Sequence, residues 1–162
     1  MNLREEAAAD VNVVRQLLLA SFPGTGEADL VEKLRAAGDA VISLVAIDGG
    51  VLTGHVMFSR MAAPFPALGL APVAVLSDWR RRGIAAALIQ EGIKRAKNEG
   101  YAGIFVLGDP GYYQRFGFSI HHADGFDSPY AGPHFMALPL QGNQLPSQSG
   151  RVDYAPAFSA LE

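Results

Sequence analysis

Val73-Ala-Val-Leu-Ser-Asp-Trp-Arg-Arg-Arg-Gly-Ile-Ala-Ala-Ala-Leu-Ile89 is the stretch that decides the fold. A β-branched apolar run breaks into a triple-arginine turn, and the turn opens an amphipathic helix at Gly83. The first turn of a helix carries unsatisfied N–H groups and the positive end of the dipole, so it favours an anion; a glycine there lets a phosphate approach the main chain closely. Arg80, Arg81 and Arg82 stand where cations are disfavoured. Three exposed positive charges at that end cost about 0.3–1 kcal/mol each unless an anion offsets them. Arginines that only cap the helix in solvent would leave this conflict unrelieved, so the turn predicts a ligand.

Upstream, Leu68 to Leu76 reads as a strand whose internal Pro72 predicts a bulge or an unpaired stretch, because proline gives no ladder donor. Ala40 to Asp48 and Val51 to Arg60 are strands joined by the hairpin signal Asp48-Gly49-Gly50. Before them, Asp10 is the expected N-cap of a helix carrying Val11, Val14, Leu17 and Leu18, ended by Pro23-Gly24, and a second helix runs from about Glu27 to Ala36. Downstream, the helix from about Gly83 to Glu99 has Ile84, Leu88, Ile89, Ile93 and Ala96 on one face and Gly100 to end it. Ile104 to Leu107 is a short buried strand, which makes a β-α-β unit and a parallel strand pair. Gly111 to Arg115 reads as one or two helical turns, and Phe118 to Ile120 and His134 to Leu140 as further strands.

A chain of 162 residues, 49% hydrophobic, fits one domain with one substantial core. The net charge of −3 gives no bulk attraction to nucleic acid, so any basic site is local. The absence of cysteine excludes disulfides, thiolate metal sites and cysteine nucleophiles, and fits a reducing compartment; cytoplasm is the expected location. Met1 to Asp10 does not read as a signal peptide, and no apolar run reaches the roughly 18 residues of a membrane helix.

Two motifs in order resemble the GNAT superfamily of acetyl-CoA-dependent N-acetyltransferases. The first is its acyl-CoA signature, Arg or Gln, two residues, Gly, one residue, Gly or Ala, present as Arg80-Arg-Arg-Gly83-Ile-Ala85. The second is the Tyr-x-x-hydrophobic-Gly-Phe element, present as Tyr113-Gln-Arg-Phe116-Gly117-Phe118. The resemblance covers roughly residues 1 to 140, with 141 to 162 expected as a tail packing on the same domain through Val152, Tyr154 and Phe158. It implies an α/β (α+β) fold: a mixed, mainly antiparallel sheet with a splayed parallel strand pair and helices on both faces.

By the same resemblance, backbone groups of Val73, Ala74 and Val75 would bind the pantetheine arm. The amides from Arg81 through Gly83 and Ile84 to Ala85, with the side chains of Arg80, Arg81 and Arg82, would hold the pyrophosphate. Tyr113 would protonate the departing thiolate, a role that suits a phenol with pKa about 10; a core aromatic in the Tyr112-Tyr113-Phe116-Phe118 cluster is the competing reading, with Tyr112 expected to pack. The implied reaction is direct attack of an amine on the thioester of acetyl-CoA, without metal. Expected partners are acetyl-CoA and an amine acceptor, with a homodimer left open and neither nucleic acid nor membrane involved. A catalytically weak acyl-CoA-binding or sensing module is the alternative.

The chain also departs from the family pattern. Gly108-Asp109-Pro110-Gly111 stands where many relatives carry an asparagine, and no acid lies between Met61 and Ser77, where many carry a general base. Asp78, His55, Asp109 and His134 are the remaining candidates. His121-His122 lacks the carboxylates of a metal site, and Gly24-Thr-Gly26 lacks the Lys-Ser/Thr of a phosphate loop.

Overall fold

In the structure, a computed structural model that describes residues 1–161, the apolar periodicities resolve into eight strands and five α-helices. They are β1 (Asn2–Glu5), α1 (Val11–Ser21), α2 (Gly26–Ala37), β2 (Ala40–Asp48), β3 (Val51–Arg60), β4 (Ala67–Val75), α3 (Ile84–Asn98), β5 (Gly103–Leu107), α4 (Pro110–Tyr113), α5 (Ile120–Ala123), β6 (Phe126–Asp127), β7 (Phe135–Pro139) and β8 (Gly150–Arg151). The main sheet has the order β1-β2-β3-β4-β5-β7, and β6 and β8 form a short parallel ladder. Only β4 and β5 run parallel within the main sheet. The mixed sheet with one parallel pair and helices on both faces is the expected fold class.

Alternation along the strands divides the core. Leu44, Val56, Phe58, Leu68 and Leu70 pack with Leu88 and Ile89 of α3 on one face, and Val45, Met57 and Ala74 pack with α1 and α2 on the other. A third cluster centres on Phe105, whose ring lies 5.4 Å from both Phe126 and Phe135. α3 approaches β3 closely at Gly92, where a Cβ would stand 2.0 Å from Cε1 of Phe58. Of the apolar face expected for α3, Ile84, Leu88, Ile89 and Ala96 are buried and Ile93 packs half-buried on the same core, while the buried Gly92 was not expected. A glycine carries no apolar signal, which is why periodicity missed it.

The β4–β5 pair separates early. Its pairing covers only Ala67–Gly69 against Gly103–Phe105, so the rest of β4 has no partner on that side and a fork opens. On the other side, Val73 pairs with Val56 and Leu70 with Phe58, leaving Ala71 and Pro72 opposite Met57 alone. This is the bulge that Pro72 predicted.

Two sequence expectations are corrected, and one element was not expected. Phe118 to Ile120 is not a strand: Ser119 makes a single bridge to Ala137 and then caps α5, accepting from the His121 N–H at 3.0 Å. His121 and His122 are therefore helical neighbours, exposed and half-buried respectively. Asp10 precedes α1 without capping it; its carboxylate turns back to the Ala7 N–H at 2.7 Å and to Arg4 at 2.6 Å. The N-terminal residues, unassigned from sequence, form edge strand β1, short and mostly exposed and so without a clear alternation signal.

Candidate active site

Between β4 and α3 the chain makes one 3₁₀ turn, Ser77–Trp79, and then the arginine turn. Arg81 has φ 65° and Gly83 φ 78°. A non-glycine residue in the left-handed region costs about 1–3 kcal/mol and marks a functional turn when it is retained. Left-handed residues alternating with ordinary ones direct successive N–H groups into a common concavity, which binds anions. Gly83 has open space where a Cβ would be, α3 has no side-chain cap, and its first turn holds no acid. The Ala87 N–H bonds to Gly83 O at 3.0 Å, whereas Ile84, Ala85 and Ala86 come before the helical ladder starts. The geometry fits a pyrophosphate: bare amides and cationic side chains on one concave surface.

That surface is one end of a cleft of about 580 Å³. Val73, Ala74 and Val75 form its strand wall, and Trp79, Arg80, Arg81 and Gly83 to Ala86 its turn wall. Ser21 and Phe22 at the end of α1 close one side, and Tyr112 and Arg115 another. Eight of the residues singled out in the sequence therefore share one cavity: Val73, Ala74, Val75, Arg80, Arg81, Gly83, Ile84 and Ala85. Arg82 and Tyr113 are not on its wall. The Arg82 guanidinium lies 4.7 Å over the Trp79 ring and donates to Asp78 O at 3.2 Å, so its side chain is already engaged within the turn.

The bulge sets which backbone groups face the fork. The Leu76 N–H donates to Thr53 O at 2.9 Å, so with two-residue alternation Ala74 also turns its main chain to β3. Val73 and Val75 turn theirs to the fork. Of the three strand residues expected to pair with a ligand, these two present the free edge, and the carbonyl of Val75 also accepts from Arg80 Nε at 3.3 Å.

After β5, Asp109 accepts from the Gly111 N–H at 3.0 Å and starts α4, with Pro110 at its first position. The short helix carries the two tyrosines. Tyr112, expected to pack, lines the cleft, with the Arg115 guanidinium 4.3 Å over its ring. Tyr113 lies behind it, edge-on to Tyr112 at 5.1 Å and to Phe118 at 5.9 Å, with its ring against Gly108. Burial, and then the neighbouring Tyr112, push the Tyr113 pKa above that of a free phenol. Tyr113 is thus a protonated donor at neutral pH.

No carboxylate lines the cleft among the described residues. His55 is fully buried in β3, its Nε2 2.9 Å from Ser43 Oγ and 3.4 Å from Glu6 Oε1, and away from the cleft. Burial raises the pKa of Glu6, but hydrogen bonds from His55 and Ser43 and the charge of Arg35 outweigh it and leave the carboxyl below its ordinary range. Asp109 is committed to its cap, and His134 Nδ1 is 3.3 Å from Gly108 O. The described residues contain no cluster of three metal-ligating side chains, and no helix is long and apolar enough to cross a membrane.

Residues 11–118 match the model of the acetyltransferase (GNAT) family. The chain is 35% identical to the uncharacterised N-acetyltransferase YhbS of Escherichia coli K12, an alignment that covers 98% of this chain and 99% of that protein. The crystal structure of the GNAT family N-acetyltransferase YhbS from Escherichia coli in complex with CoA superposes with a TM-score of 0.91 at 33% identity, covering 98% of this chain and 91% of the other. A GNAT family acetyltransferase from Brucella melitensis in complex with acetyl-CoA gives 0.81 at 33% identity, covering 97% of each chain.

Proposed function

The chain belongs to the GNAT acetyltransferase family, and on that premise we propose that it transfers the acetyl group of acetyl-CoA to a primary amine by direct attack, without a covalent enzyme intermediate. The single observation that carries this reading is the uncapped, acid-free start of α3, opening onto the same cleft as the free edge of β4. The CoA and acetyl-CoA complexes of the two relatives support the identity of the anion.

Acetyl-CoA supplies the acyl group already activated as a thioester. The amides from Arg81 to Ala86 take the pyrophosphate, and the Arg80 and Arg81 side chains take its charge in bidentate or single contacts. Val73 and Val75 offer main-chain donors and acceptors to the amide-bearing arm, and the Val75 N–H polarises the acyl carbonyl. Tyr113 donates its proton to the departing sulfur, for which its raised pKa keeps it charged with hydrogen. With no carboxylate on the cleft wall, the amine enters neutral, and the proton its nitrogen sheds after addition passes through water to restore the Tyr113 phenol. The tail from 141 to 162 belongs to the same domain, and the reaction is set in the cytoplasm.

The test is release of CoA thiol from acetyl-CoA over a wide panel of primary amines. The expected outcome is thiol release above background with at least one amine. A protein that binds CoA but releases none with any amine is a binding module instead.

A further inference from the structure

The cleft has walls from both faces of the sheet. Val73, Trp79, Ala85 and Tyr112 on its wall pack with the core under α3, whereas Ala74 and Phe22 pack with the core under α1 and α2. The phosphate cradle belongs to the α3 side, so the nucleotide half of the cofactor fills that mouth. The amine then reaches the thioester from the α1 side, past Ser21 and Phe22.

That second mouth has a defined chemistry. Ser21 ends α1, and its Oγ donates to Leu17 O at 2.7 Å, so its one proton is committed and the oxygen is left to accept. Phe22 leaves the helix in an extended conformation and sets a half-exposed ring on the cleft wall. The acids nearest in the chain, Glu27 and Asp29 in the first turn of α2, are off the wall, and Asp29 is bonded to Thr25 and Arg15. Among the described residues every charged side chain on the wall is a guanidinium. Arg80 and Arg81 stand at the arginine turn, and Arg115 stands across the cleft on the Tyr112 ring, where its Nε donates to Tyr112 O at 2.8 Å.

An ammonium group in this cleft would face cations and find no carboxylate on the wall. At pH 7 an alkylamine as basic as a lysine side chain, pKa about 10.4, is neutral in only about one molecule in 10³. An amine on an aromatic ring shares its lone pair with the ring and is neutral throughout. Resting on the acetyl-transfer reading, we propose that the acceptor is an arylamine, its ring against Phe22 and one N–H given to Ser21 Oγ. The nitrogen–carbon bond forms as the carbon–sulfur bond breaks. Tyr113 gives its proton to sulfur, and the proton shed by nitrogen returns to the phenol through water, leaving an N-aryl acetamide and CoA.

The test measures CoA thiol release at pH 7 with aniline and 4-methoxyaniline against cyclohexylamine and spermidine, in the parent and in Phe22→Leu, with the Kd for acetyl-CoA and the Tm measured alongside. The parent is expected to turn over the two anilines with kcat/KM at least about 10-fold above that of cyclohexylamine, which has the same size and is charged. Phe22→Leu keeps an apolar side chain and removes the ring, so the aniline KM should rise about 3–10-fold while the Kd for acetyl-CoA stays within about twofold. Ser21→Ala carries the same expectation and decides the matter if Phe22→Leu lowers the Tm. Equal or better turnover of the alkylamines, or an unchanged aniline KM in a folded variant, overturns the proposal and leaves acetyl transfer standing. Absence of thiol release with every amine overturns the acetyl-transfer reading itself, and this proposal with it.

Discussion

The two ends of the cleft are built from different material. At the arginine turn the ligand-facing groups are mostly main chain: the amides that start α3, two left-handed residues and an uncovered glycine, with two guanidinium groups beside them. At the other side they are side chains, Tyr112 from α4 and Arg115 just after it, with Tyr113 packed behind Tyr112. A main-chain site tolerates exchange of its side chains but not of its backbone conformation, because the donors belong to every residue alike. A side-chain site has the opposite sensitivity. On the proposed reading, the contrast separates binding of the cofactor, at one end, from the chemistry of transfer, at the other.

The sharpest way to break this division is Tyr113→Phe. Loss of a general acid is expected to lower kcat by about 100-fold or more while the Kd for acetyl-CoA stays within about twofold; undiminished turnover would remove Tyr113 from the reaction. Gly83→Glu attacks the other end. It puts a side chain at φ 78° and a carboxylate among the amides, so acetyl-CoA affinity should fall on the order of 30-fold or more and the ligand-induced rise in Tm should vanish. An intact thermal shift in this variant would mean that the anion binds elsewhere.

Smaller effects grade the arginines. Arg80→Ala and Arg81→Ala should each weaken acetyl-CoA by about 3–10-fold, the range of a charge-assisted bond partly screened by solvent. Arg82→Ala should change it by less than about twofold, since that guanidinium stacks on Trp79. Equal losses at all three positions would erase the distinction between side chains that line the cleft and one that braces the turn. Smallest at both ends is the effect of Asp10→Ala. Hydrogen bonds from Arg4 and then Ala7 hold the Asp10 carboxyl at about 2, below its ordinary 3.8. A folded-state pKa depressed in this way gives stability that is present above pH 4 and lost as the pH falls through 2. The variant should therefore melt a few degrees below the parent at pH 7, with the gap closing between pH 4 and 2, while acetyl-CoA affinity is unchanged.

The same contrast explains what could be read from the sequence. β2, β3, β4, α3 and β5 were legible because each has an apolar period and a boundary residue: glycines at the hairpin, the bulge proline, and the arginine turn. The main-chain end of the cleft was legible for that reason, since a turn type and a helix start determine where the amides point. The fork end depends on contacts between residues far apart in the chain. Tyr154 meets Gly69, and nothing near either position announces the other. Tyr112 and Tyr113 are adjacent, so residue type could not say which reaches the cleft; the start of α4 at Asp109 decides it. β1 and the β6–β8 ladder escaped for a simpler reason, being strands of two to four residues with no alternation to count.

Gly92 makes α3 a lever. At 1.5 Å per residue, nine residues put its contact with Phe58 about 13 Å from Gly83. A rigid rod seated on a fulcrum moves at its tip whenever the seat is shimmed. An alanine at Gly92 would meet the Phe58 ring, and any lift of the helix there would swing its amide-bearing end relative to β4. The spacing between the start of α3 and the β4–β5 fork is thus gauged by a hydrogen atom in the middle of the helix, at a residue off the cleft wall.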